Sequence, residues 1–406
     1  TPSKELNLMS DIPGSVQRSV YDLQAQGTDP LCAYIYDLGG LRHHVSEIAQ
    51  ALPANCEMFY ATKANPALPV LQAMAPLVHG FEVASGGELD WVRSHFPDIP
   101  VIFGGPGKLE SELDNALSQR VELIHVESLL ELRRLCNLAD HRKKPQDILL
   151  RINLALEETP STRLTMGGIP TPFGMEEHCI TEALAILSKQ DWVRIRGFHF
   201  HMMSHQLDGH RHLTLIERYL DTVRTWEHQF GLTVDQINVG GGIGVNYLEP
   251  TRQFDWIDFF AGLKELLERY HDRPWRIRFE CGRALTAACG YYAAEVLDIK
   301  SCGDEWFAIC RGGTHHFRTP AAQAHDHPFR ILSNVDDSND VPRLVDEPVT
   351  LVGQLCTPKD VFARQIHVPS LSVGDLVVFQ YAGAYAWNIS HQEFLMHPHP
   401  RELFID

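Results

Sequence analysis

The residues of this sequence that could do chemistry sit at the ends of short apolar runs. Lys63, in Tyr60-Ala61-Thr62-Lys63-Ala64-Asn65, closes the first of them. Apolar surroundings would lower its pKa and make its amine a better nucleophile; the plainer alternative is a snorkelling or salt-bridged lysine. Glu82 and Ser85 lie at the end of the second run, Arg151 in the fifth, and His199, His201 and Ser204 at the end of the sixth. Gly240-Gly241-Gly242-Ile243-Gly244 follows the seventh, where glycines would let backbone N–H groups approach phosphate oxygens, or would simply make a tight turn. Glu280 and Arg283 follow the eighth. Four H-x-H pairs (His199/His201, His210/His212, His325/His327 and His397/His399) could bind metal if each lay on a strand. Surface histidines and ligand contacts account for them more simply, so no metal is expected.

The elements that must position these residues follow a regular beat. Apolar runs at Glu57–Lys63, Gly80–Ala84, Val101–Gly104, Leu123–Val126, Ile148–Asn153, Ile195–Met202, Gln236–Val239 and Ile277–Glu280 alternate with amphipathic stretches at Val70–Leu77, Gly87–Ser94, Leu109–Ser118, Leu129–Leu138, Glu176–Lys189, Arg211–Phe230 and Trp256–Tyr270. Strand alternating with helix implies a parallel sheet. The count is that of an α/β fold built on a (β/α)8 TIM-like barrel, whose chemistry sits at the carboxyl ends of its strands; an open doubly wound sheet is the alternative. After residue 286 the beat stops. Short β-type segments at Ala293–Ile299, Trp306–Ile309, Val349–Val352 and Leu376–Tyr381 predict a C-terminal all-β domain, a barrel or sandwich. The expected division is 1–36 as a segment joining the β domain, 37–286 as the barrel and 287–406 as the β domain. The polar stretch Leu332–Pro348 reads as a mobile loop, a possible lid.

Bulk properties set the class. A chain of 406 residues with 44% hydrophobic and 21% charged residues is globular and long enough for two cores. It holds no apolar run long enough to span a bilayer and opens on Thr1-Pro2-Ser3-Lys4, so neither a membrane segment nor a secretory leader is expected. A formal net charge of -17 argues against nucleic acid and anionic membranes as partners. Nine cysteines without a C-x-x-C pair point to a reducing, cytoplasmic setting rather than to disulfides.

Seven ordered motifs resemble the alanine-racemase-like pyridoxal-phosphate enzymes, and among them the ornithine and diaminopimelate decarboxylases. The resemblance runs from about residue 30 to 395. It rests on Tyr60–Asn65; on Gly80–Glu88, with Glu82 where Asp is usual; on Gly197–Ser204, with Met203 for a usual Gly; on Gly240–Gly244; on Glu280–Arg283, with Cys281 for Pro; on Gln354-Leu355-Cys356; and on Gly383-Ala384-Tyr385. Gly312–Arg318 and Trp387–His391 resemble the siderophore-cluster branch, which acts on a citryl conjugate of diaminopropionate in staphyloferrin-B-like pathways.

The resemblance implies roles. Lys63 would carry pyridoxal 5'-phosphate, Glu280 would hold the proton of its ring nitrogen, and His201 would stack on its ring. Ser204, Gly241, Gly242 and Tyr385 would hold its phosphate with Arg283 nearby. Arg151 would order carboxylates near the cofactor or form a structural pair. Cys356 would protonate the α-carbon after CO2 leaves, reaching the site from the partner of a homodimer with shared active sites. Basic-amine decarboxylases carry an acidic residue after that cysteine; here it is Thr357, which cannot pair with a distal ammonium. Arg318, His315 and His316 would instead offer positive charge to a substrate tail bearing carboxylates. The rival readings are a diaminopimelate or other diamino-acid decarboxylase, an amino-acid racemase, and an inactive regulatory homologue. Glu280 and Cys356 argue against the racemase, and Lys63 with both argues against the inactive homologue.

Overall fold

The computed structural model describes residues 11–154, 170–333 and 340–406. Helix α1 (Gly14–Gln26), strand β1 (Cys32–Asp37) and helix α2 (Leu38–Ala51) precede eight strands: β2 (Cys56–Ala61), β3 (Gly80–Val83), β4 (Val101–Phe103), β5 (Leu123–Val126), β6 (Gln146–Arg151), β7 (Val193–His199), β8 (Gln236–Asn238) and β9 (Arg276–Cys281). They close in chain order into a parallel barrel. The closing pair is β9 with β2, Glu280 opposite Phe59. That closure decides between the barrel and the open sheet.

Between the strands run α3 (Leu68–Met74), α4 (Gly86–His95), α5 (Glu110–Ser118), α6 (Leu129–Arg142), α7 (Cys179–Leu187), α8 (Gly209–Phe230) and α9 (Trp256–Glu268). Local chemistry starts them. The hydroxyls of Ser85 and Ser128 accept the amides of Glu88 and Glu131 and cap α4 and α6. Asp208 caps α8, which stops at Gly231 in the left-handed conformation. Helix α8 buries Ile216, Tyr219, Leu220, Val223 and Trp226, a stripe at helical spacing. Phe59, Ile102, Leu123 and Leu149 cluster as fully buried residues of β2, β4, β5 and β6. Near the amino ends of the strands Arg278 pairs with Glu57 at 2.8 Å and with Glu122.

A second compact unit comprises the described residues up to His43, Val245–Gln253 and Arg283–Asp406; the barrel unit is His44–Gly244 with Phe254–Gly282. After α10 (Arg283–Thr286), the second unit adds β10 (Gly290–Cys302), β11 (Glu305–Cys310), α11 (Thr319–Gln323), β12 (Phe329–Leu332), β13 (Arg343–Val352), β14 (Val361–Ser372), β15 (Leu376–Phe379) and β16 (Arg401–Ile405). The long β10 is shared: its first half pairs with β1 and β15, its second with β11, and the register shifts between Val296 and Asp298. Helix α1 lays Val16, Val20 and Leu23 on Ala33, Ile35, Ala293 and Val378. The loop expected over Leu332–Pro348 is corrected in part. Leu332 ends β12 and Arg343–Pro348 lies within β13, where hydrogen bonding to β14 outweighs the polar composition. Residues 334–339 lie outside the described ones.

Candidate active site

Lys63 lies just beyond the carboxyl end of β2. The strand stops at Ala61, and Thr62–Ala64 form one 3-10 turn. Its Nζ meets both oxygens of Glu82 at 3.1 and 3.0 Å. The lysine side chain is 46% exposed and the glutamate 5%, so the expected desolvation falls on the carboxylate rather than on the amine. Burial raises the Glu82 carboxyl above the ordinary glutamate range, and the Lys63 ammonium draws it back. Thr62 ties the turn down, its hydroxyl donating to the Glu82 carbonyl at 3.1 Å.

Glu280, on β9, is buried and ringed by nitrogen. Asn238 of β8 donates to its Oε1 at 2.9 Å. His125 Nδ1, from β5, lies 3.3 Å from Oε1, and His199 Nε2, from β7, 3.2 Å from Oε2. Both imidazoles are held well below the ordinary histidine range, by burial before anything else, and are neutral. Their rings lie 4.0 Å apart, and among the described residues neither makes an aligned hydrogen bond. The ligand atoms of the trio lie within 4.8 Å of one another, a spacing that a metal ion could also bridge.

The glycine loop packs on the same unit. The Gly241 amide donates to His201 Nδ1 at 3.3 Å and the Gly240 amide to Asn238 Oδ1 at 2.8 Å. Gly240 and Gly242 have φ of 75° and 77°. A Cβ on Gly241 would strike the Glu280 carbonyl, and one on Gly242 the Met203 carbonyl beside Ser204. Glycine is therefore required here by close backbone approach. His199 and His201 do not act as a pair: one reaches Glu280, the other the glycine loop.

Arg151 ends β6, and its guanidinium donates to Glu127 at 2.9 Å, both side chains buried. Glu127 also accepts the amides of Gly105 and Gly174 at 3.1 Å. Beside it, Lys108 donates at 2.7 Å to Glu131 and to the carbonyls of Gly105 and His125. Arg151 thus makes a buried pair with Glu127. Lys108, His125, Glu127 and Glu131 escaped the sequence reading because no motif marks them; the one signal was a charged or polar residue interrupting or flanking an apolar run.

In the second unit, the Arg283 guanidinium donates to the Tyr247 hydroxyl at 2.8 Å and lies 4.5 Å from the Tyr385 ring. Tyr385 has φ of 48°, and its carbonyl accepts from Thr319 at 2.6 Å. Tyr247 stacks on His325 at 4.6 Å, and His325 Nε2 lies 2.9 Å from His327 Nδ1. This H-x-H pair does meet.

Cys356 is exposed, on a loop pinned by buried Asp360. That carboxylate accepts the Leu355 amide at 2.8 Å and the Thr314 amide at 2.7 Å, joining the 354–357 motif to the 312–318 motif. The Thr357 hydroxyl accepts the Lys359 amide at 3.3 Å. Arg318 is exposed, with Nη1 3.4 Å from His391 Nδ1. The expectation of positive charge from His315 and His316 is corrected. Both are buried, their rings 3.8 Å apart, and burial first, then neighbouring histidines, lower them to about 4 and about 3. They are neutral at neutral pH.

A closed parallel barrel with a lysine at its mouth, a buried carboxylate on β9 and a glycine loop after β8 defines a class of cofactor enzyme. Residues 38–287 match the pyridoxal-binding domain of the pyridoxal-dependent decarboxylases, and the chain belongs to that family. It is 44% identical over 392 residues to the 2-[(L-alanin-3-ylcarbamoyl)methyl]-2-hydroxybutanedioate decarboxylase of Staphylococcus aureus, covering 96% of this chain and 98% of that one. It is 30% identical over 361 residues to the diaminopimelate decarboxylase of Bacteroides thetaiotaomicron, covering 87% and 90%. Among solved structures it superposes with a TM-score of 0.83 on a diaminopimelate decarboxylase from Helicobacter pylori complexed with L-lysine, at 25% identity and 95% and 94% coverage.

The side chains fit pyridoxal phosphate. An aldehyde needs an accessible amine, and Lys63 is half exposed beside a carboxylate. A ring N–H needs a buried carboxylate with an acceptor site left. Glu280 Oε1 is approached by two nitrogens and Oε2 by one. A carboxylate offers about four acceptor positions, so one on Oε2 remains. Among the described residues no helix is long and apolar enough to cross a membrane.

Proposed function

We propose that this protein removes the α-carboxylate from a citryl-diaminopropionate conjugate in siderophore assembly. The 44% identity over nearly the whole length of both chains carries this reading. The neutral Thr357 and the exposed Arg318 support it, since the first offers nothing to a distal ammonium and the second suits a carboxylate-bearing tail. When bound, pyridoxal phosphate supplies the electron sink for the pair left as CO2 departs.

The chain's own residues do the rest. Lys63 holds the cofactor through its amine and is kept in place by Glu82. Glu280 keeps a proton at the ring nitrogen, and His201 packs on the ring. Gly241, Gly242, Ser204, Arg283 and Tyr385 receive the phosphate. Arg151, committed to Glu127, orders the loops of the barrel mouth. Cys356 delivers the proton to the α-carbon, and the working assembly is a cytoplasmic homodimer with shared sites.

The test is CO2 release and product mass from the purified, pyridoxal-phosphate-loaded enzyme. Citryl-diaminopropionate is offered beside ornithine, lysine and diaminopimelate. Turnover of the citryl conjugate alone is expected. Turnover of a free diamino acid in its place would keep the decarboxylase and overturn the substrate.

A further inference from the structure

We propose that His125 is a positioning residue that keeps the Glu280 carboxylate anionic and oriented by donating its Nδ1–H. The proposal rests on the role given above to Glu280. Buried carboxylates tend to take up a proton, because desolvation penalises the charge. Glu280 is 8% exposed. The nitrogens approaching it from the packed strands are Asn238 Nδ2 at 2.9 Å, His199 Nε2 at 3.2 Å and His125 Nδ1 at 3.3 Å.

None of the three groups is a fixed cation. With rings 4.0 Å apart, His125 and His199 cannot both be charged without strong repulsion. Each neutral ring has a single N–H. Glu280 Oε1 lies 3.3 Å from His125 Nδ1 and Oε2 3.2 Å from His199 Nε2, which puts the single proton of each ring on that nitrogen. Neither ring nitrogen of His125 has an aligned hydrogen-bond partner among the described residues; Nδ1 is the one that lies 3.3 Å from a carboxylate oxygen. Neutral donors stabilise an anion without cancelling its charge. A lysine or arginine in this place would compete with the ring N–H that Glu280 is to hold; imidazoles and an amide do not. Strand alternation gives the same answer, since Leu123 and His125 point to one face of β5 and Leu123 belongs to the buried cluster with Phe59.

Three variants separate a donor from a filler of space. In His125→Asn the amide nitrogen falls close to the position of Nδ1. In His125→Gln it reaches instead toward Nε2, and His125→Leu has no donor. The readouts are the dissociation constant of pyridoxal phosphate for the apoprotein, from tryptophan quenching and the visible cofactor band, and kcat and KM separately. We expect His125→Asn to stay within a few-fold of wild type. His125→Gln and His125→Leu should lose about 10- to 100-fold in cofactor affinity and in kcat, the range for a hydrogen bond to a charged group, with KM little changed. Equal behaviour of Asn and Gln, or wild-type values in Leu, would overturn the proposal. If Leu does not fold, the Asn–Gln comparison still decides. Failure of the wild type to bind pyridoxal phosphate would instead remove the assignment of Glu280 itself.

Discussion

Lys63 and Glu82 show how one neighbour changes the reading of a residue. In the sequence the lysine closes an apolar run, which suggested a desolvated amine. In the fold it turns out of the strand, stays half exposed, and leaves the burial to Glu82. Lys63→Ala should therefore abolish turnover and the visible cofactor band; it also leaves Glu82 buried without its cation, so the melting temperature should fall as well. Appreciable decarboxylation by that variant would remove the lysine from its role. Arg318 is the residue on which the substrate reading leans. Arg318→Ala should raise KM for a tricarboxylate-tailed substrate about tenfold or more with kcat held, the pattern of lost uniform binding. An unchanged KM would leave the distal carboxylates to other groups. His315 and His316 were legible as a motif but not as neutral, since nothing in the order of residues says that their rings lie buried against each other in the β unit.

At the scale of elements, the barrel was legible nearly strand by strand. Parallel strands buried on both faces are apolar and short, and the helices between them carry a clear stripe. The β unit was less so. β1 and β16 draw their partners from distant parts of the chain, and local pattern does not report such pairing. The clamp of Lys108, Glu131, Glu127 and Arg151 was missed for the same reason. Lys108 joins the loop after β4, the end of β5 and the start of α6, and its side chain is 1% exposed. Lys108→Met leaves Glu131 buried without its cation and should cost about 3–5 kcal/mol. Urea unfolding measures this directly, and a loss below about 1 kcal/mol would show that the clamp is not a stability element.

At the scale of the molecule, buried histidines set the acid limb of stability. His212, His315 and His325 are lowered to about 4 and His316 to about 3, each mainly by burial. Unfolded histidine titrates near 6.5, so between about 6.5 and 4 the unfolded chain binds protons that the folded chain refuses. Stability should fall as pH drops through that window, with the His316 contribution lost down to about 3. His212 is the cleanest probe, because burial is its sole cause of shift and among the described residues both its ring nitrogens lack hydrogen-bond partners. Urea midpoints at pH 7 and pH 5 should differ less in His212→Leu than in wild type; an identical pH slope would contradict the assignment.

The central claim is that Lys63 carries the cofactor of this decarboxylase. Borohydride reduction of the pyridoxal-phosphate-loaded protein followed by peptide mass mapping tests it most directly. The account predicts one phosphopyridoxyl group, on the peptide containing Lys63. A label on another lysine, or none on a protein that turns substrate over, would contradict it.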